Sequence, residues 1–130
     1  MVPMSFDIFF FRFEGGDPSR GDDRAVEELL EPWIEEREKS WARVKTVDGE
    51  ADVYGMETPG ASLMINHASG RVIWDLMFEL AHVGRFAVIP VGCGTIITPS
   101  IESSDLPPEV PDPISVVRTG AELLAVVESA

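Results

Sequence analysis

A chain of 130 residues is long enough to bury a core without disulfides or a structural metal, and short enough to read as one domain. Its 23 acidic residues against 10 lysines and arginines give a formal net charge of −13, a field that repels the phosphates of nucleic acids and anionic membrane surfaces, so neither is an expected partner. The same field draws in a basic protein, although high charge also serves solubility alone.

Cys93 is the sole cysteine, which excludes an internal disulfide and a cysteine-based zinc site and fits a reducing cytoplasm. The opening Met1–Asp7 lacks the positive region of a secretory leader, and Phe9–Phe11 is too short to span a bilayer. A cytoplasmic location is expected.

Ser5 to Phe13 is aromatic and β-branched on both faces and predicts an interior strand. Residues 14–21, with three glycines and a proline, predict a flexible loop. Asp22 is a good N-cap, and Val26, Leu29, Leu30, Trp33 and Ile34 then recur at helical spacing. Pro32 falls inside this pattern, so a kink or break is expected, with a second helical segment running to about Lys39.

Ala42 to Thr46 and Ala51 to Tyr54 flank Asp48-Gly49, a strong turn pair, and predict a hairpin. Ala61 to His67 alternates as a further strand. A helix over about 71–83 buries Val72, Ile73, Leu76, Met77 and Leu80, with Gly84 as its closing residue. Phe86 to Val91 and Thr95 to Thr98 predict two short strands around Gly92-Cys93-Gly94, with Pro90 easiest to place at a sheet edge. Residues 100–113 carry the prolines of an extended connector, and Thr119 to Glu122 is a capping box that opens a last helix. The order β-α-β-β-β-α-β-β-α lacks steady βαβ alternation. It predicts an α+β domain, a mixed or mostly antiparallel sheet with helices packed on one face.

Three groups invite chemistry. Asp75, Glu79 and His82 share one helix face, and Glu79 and His82 have the i, i+3 spacing of di-iron ligands, but no second such motif exists to complete a site. They read as the wet face of the helix. His67 could serve as a general base and Cys93 as a nucleophile, yet nothing in the sequence brings them together, and a turn role and a structural role respectively are favoured. Gly92-Cys93-Gly94-Thr95 is no phosphate loop, because neither lysine nor helix follows it. No cofactor or metal is expected.

The most distinctive surface is acidic: Glu27, Glu31, Glu35 and Glu38 follow at helical intervals with Glu28 alongside, and form a ridge suited to partner binding. Trp33 and Trp74 fall on or beside apolar faces and are assigned to the core, with Trp41 the third of the set.

Three stretches, Met4–Phe11, Ser62–Asn66 and Phe86–Ile89, together resemble a class of small bacterial proteins that begin Met-Ser-Tyr-Asp-Leu. Some of those are similar to immunity proteins of polymorphic-toxin systems, and the resemblance implies a cytoplasmic module that occludes a toxin's active site. This chain differs in carrying Ile96 to Pro99 where an Asp-Pro pair often follows the fifth strand. The leading expectation is therefore a non-enzymatic, immunity-like inhibitor of a basic protein partner. The alternatives are a small enzyme using His67 or the Asp75, Glu79, His82 face, and a homo-oligomer joined through a strand edge.

Overall fold

The computed structural model describes residues 7–129, so Ser5 and Phe6 of the first expected strand, and the start of the Met4–Phe11 motif, lie outside the described residues. The described residues open with strand β1 (Ile8–Glu14) and the two-residue β2 (Asp17–Pro18), then helix α1 (Asp23–Leu30) and a 3-10 turn (Glu31–Trp33). Strands β3 (Ile34–Arg37), β4 (Trp41–Lys45), β5 (Glu50–Tyr54) and β6 (Ser62–Asn66) precede helix α2 (Val72–Gly84). Strands β7 (Phe86–Pro90), β8 (Thr95–Ile97) and β9 (Ile114–Val116) and helix α3 (Gly120–Glu128) follow.

The strands form one sheet in the order β3-β4-β5-β6-β1-β7-β8-β9, with β2 paired to β1. Only β8 and β9 are parallel among these pairs. The expected α+β class and mostly antiparallel sheet are present, and β1 is central as its apolar run predicts. The observed order carries more strands than expected, with β2, β3 and β9 added.

Two of the additions, β2 and β3, arise where the chain turns differently from expectation. Gly15 and Gly16 both take positive φ, which makes a two-residue turn that folds the expected loop 14–21 back as a hairpin, pairing Glu14 with Asp17. Asp22 caps α1 as predicted, its carboxylate accepting from the Arg24 and Ala25 amides. Pro32 then tightens the chain into a 3-10 turn, and the second helical segment to Lys39 does not form: Ile34–Arg37 is instead an edge strand. Trp33, assigned to the core on helical spacing, is consequently 37% exposed. The connector 100–113 is anchored rather than free, since Ile101 and Leu106 are buried against Ala87 and Ile97.

All three helices pack on one face of the sheet. Phe10, Val44, Val53, Ile65 and Val88 meet Leu30, Trp74, Leu80 and Leu123 in a single core. α2 ends on Arg85, which takes the left-handed conformation expected of Gly84. Gly84 is required for a different reason: a side chain there would overlap the Phe86 ring. Pro90 closes β7 rather than lying on an edge strand, and its missing amide falls at the strand's end.

The N-terminus of α2 is capped from a distance. Its N-cap residue, Arg71, supplies no side-chain cap, but Asp48 in the β4–β5 turn accepts from the Arg71 amide at 2.9 Å and the Val72 amide at 3.3 Å. These backbone bonds outweigh desolvation and hold the Asp48 carboxyl below the usual range. A depressed carboxylate stabilises the fold above its unfolded pKa of about 3.9 and loses that contribution as pH falls through the folded value. Asp48→Ala is therefore expected to lower the melting temperature at pH 7, with the gap to wild type closing at acid pH. Thermal unfolding at both pH values checks it; a gap independent of pH would contradict the charged cap.

Candidate functional site

The acidic residues do not lie along one helix. Glu27 and Glu28 belong to α1, Glu31 to the 3-10 turn and Glu35 to β3, while Glu38 follows that strand. They form a strip that passes from the end of α1 onto the outer edge of the sheet. Glu27 pairs with Arg37 at 2.7 Å, Glu28 with Arg24 at 3.0 Å and Glu35 with Lys45 at 3.4 Å. Among the described residues Glu31, Glu36 and Glu38 have no cation within ion-pair distance, so the strip keeps a net negative edge.

The sheet face away from the helices carries the second feature. Alternation places Trp41 and Arg43 of β4, Asp52 and Tyr54 of β5, Met64 and Asn66 of β6, and Phe9 and Phe11 of β1 on this side, in register across the strands. The 100–113 segment covers only the β7–β8 end of it, together with Phe13. Phe9 and Phe11 stack with ring centroids 5.7 Å apart; Phe11 and Tyr54 are exposed, and Phe9 and Met64 are half-buried. Two adjoining open hollows of about 240 and 450 Å³ share Phe11 and Ser62.

Beside this aromatic row, Asp52 gathers three donors. Trp41 Nε1 and Arg43 Nε each lie 3.3 Å from one oxygen, and His67 Nδ1 lies 2.9 Å from the other. The Arg43 guanidinium also sits 5.3 Å from the Trp41 ring centroid, a cation–π contact. Burial opposes ionisation of Asp52, but the bonds from His67, Arg43 and Trp41 prevail and hold its carboxyl below the ordinary range. The hydrogen bond that Arg43 donates to Asp52 in turn raises the Arg43 pKa. His67 takes φ 54° immediately after β6, a turn that swings its ring back onto Asp52. Its ring is oriented as a general base would be, yet among the described residues no hydroxyl or thiol is hydrogen-bonded to it.

Cys93 lies in the β7–β8 turn, with β1 between that hairpin and the strand that leads to His67, so the two are not brought together. Burial pushes the Cys93 thiol up. Labelling by a thiol reagent at pH 7 is therefore expected to be slower than for a free cysteine; faster labelling would contradict this environment. Asp75, Glu79 and His82 are all exposed along α2. His82 Nδ1 is 3.2 Å from the Thr98 hydroxyl and its ring stacks on Phe78. Among the described residues no three His, Cys, Asp or Glu side chains are grouped to hold a metal ion, and no helix is long and apolar enough to cross a membrane.

Sequence reasoning missed the open face. Its trace was the alternation in Trp41-Ala-Arg43 and Asp52-Val-Tyr54, where small and branched residues face the core and aromatic and charged ones face outward. Comparison with protein-family models, curated proteins and solved structures finds no match for this chain.

Proposed function

We propose that the protein is a non-enzymatic, cytoplasmic binding module, an immunity-like inhibitor of a basic protein partner, contacted through the acidic strip of Glu27, Glu28, Glu31, Glu35 and Glu38. The observation that carries this reading is the concentration of carboxylates along an exposed sheet edge, where Glu31, Glu36 and Glu38 have no cation within ion-pair distance among the described residues, within a chain of net charge −13. Such a strip steers a cationic surface toward one side of the molecule and raises the rate of encounter. It also disfavours pairing of the β3 edge with its own copy, because like charges on an edge strand resist it, whereas the β9 edge exposes Ile114 and Val116 and carries no such charge.

The test uses a partner captured from host lysate, identified and then purified. Reversing Glu31 and Glu38 to Lys is expected to slow association by about tenfold, within the span that mutants of one interface show, while thermal unfolding stays near that of wild type. An unchanged association rate in a folded variant would remove the strip from the contact.

The second reading, a small enzyme, draws on the 2.9 Å contact between His67 and Asp52. It requires a substrate to supply the missing reacting group. A turnover lost in His67→Gln but kept in Glu31→Lys would favour it over binding.

A further inference from the structure

We infer that the uncovered aromatic half of the sheet face is the centre of the contact, taking an apolar side chain from a basic partner whose cationic groups pair with the carboxylates around it. This rests on the reading of a basic protein partner and goes on to say where and how that partner is held.

Three observations carry it. Phe11 and Tyr54, on β1 and β5, are 36% and 37% exposed, while Ile8, Phe10, Ala51 and Val53 on the other face of those strands are buried. Helices cover one face of the sheet, and the 100–113 segment covers the opposite face only as far as Phe13, so the apolar row ends uncovered in the middle of the sheet. The two open hollows along this row are walled by Phe9, Phe11, Phe13 and Tyr54, and the larger is of a size that accepts a bulky side chain.

Charge selects the occupant. On the same face Arg43 is engaged by Asp52 at 3.3 Å and Glu50 at 3.6 Å, and Lys45 by Glu35 at 3.4 Å, while Asp7 and Glu36 have no cation within ion-pair distance among the described residues. An apolar centre within an acidic border is the pattern of a protein interface, in which the centre sets the lifetime and the border sets encounter. A second copy would bring another charge of −13 against this border. A basic protein presenting an apolar or aromatic anchor fits both parts.

The experiment measures association and dissociation rates separately for the purified partner with wild type, Phe11→Ser, Tyr54→Ser and the Glu31, Glu38 reversal. Phe11→Ser and Tyr54→Ser are expected to raise the dissociation rate at least tenfold and leave association nearly unchanged, the opposite of the charge reversal. If the reversal slows association while neither face variant alters dissociation, this inference falls and the reading of a basic partner stands. If neither set has any effect, both fall. Should either face variant not fold, the methyl resonance of Met64 in wild-type protein decides: a shift on adding partner supports the inference, and an unmoved signal overturns it. Self-association of the wild type at micromolar concentration, abolished by Phe11→Ser, would assign the face to a second copy and also overturn it.

Discussion

Trp74→Ala is expected to destabilise the protein by about 3–5 kcal/mol, the largest effect of any single truncation proposed for this chain. Trp74 is the bulkiest fully buried side chain, 2% exposed on α2 within the core that joins all three helices to the sheet. The surrounding strands are tied by their ladders and cannot close over the space it leaves, so a cavity term adds to the lost transfer energy. Domains of this kind hold only about 5–15 kcal/mol in all, and the variant is expected to sit close to its folding threshold. Urea unfolding should show a lower midpoint with an unchanged slope. Trp33→Ala, at the exposed 3-10 turn, is the internal comparison and should lose about 1 kcal/mol or less. Equal losses at the two tryptophans would contradict the assignment of only one of them to the core.

Gly49→Ala is expected to cost about 1–3 kcal/mol through overpacking, although the residue lies in a surface turn. The reason is tertiary. The β4–β5 turn lies directly on the backbone that leads into α2, and a side chain at Gly49 would overlap the Ser69 carbonyl oxygen and sit 2.9 Å from the Gly70 nitrogen. Relief requires the turn to lift, and lifting withdraws Asp48 from the Arg71 and Val72 amides that it caps. The two effects are therefore coupled. Asp48→Ala should have a smaller effect in the Gly49→Ala background than in wild type, which a double-mutant cycle measures. Full additivity would show that the turn and the cap act independently.

These two sites also mark what was legible in the sequence. Periodicity found α2 within a residue at each end, because its buried positions recur without a breaker, and the Asp-Gly pair located the hairpin turn. It could not show that Gly49 is needed for space rather than for a left-handed backbone, since that depends on residues 20 positions away. Pro32 was recognised as a breaker, but the chain beyond it continues as a strand because Ile34 and Arg37 find partners in Val44 and Ala42, and no local propensity records that pairing. With the helix ended at Leu30, the acidic residues became an edge strip instead of a ridge. The open face was harder still. Phe9 and Phe11 read as core because β1 is apolar on both sides, and only the path of the 100–113 segment decides which of its phenylalanines is covered.

The most direct test of the account is the association rate of the purified partner measured against ionic strength. A contact steered by Glu31, Glu36 and Glu38 should show a rate that falls steadily as salt rises from low to physiological concentration, because exposed charges are screened over about 8 Å at the latter. The Glu31 and Glu38 reversal should flatten that dependence. A rate independent of salt in the wild type, with the protein folded and the partner bound, would contradict electrostatic recognition of a basic partner.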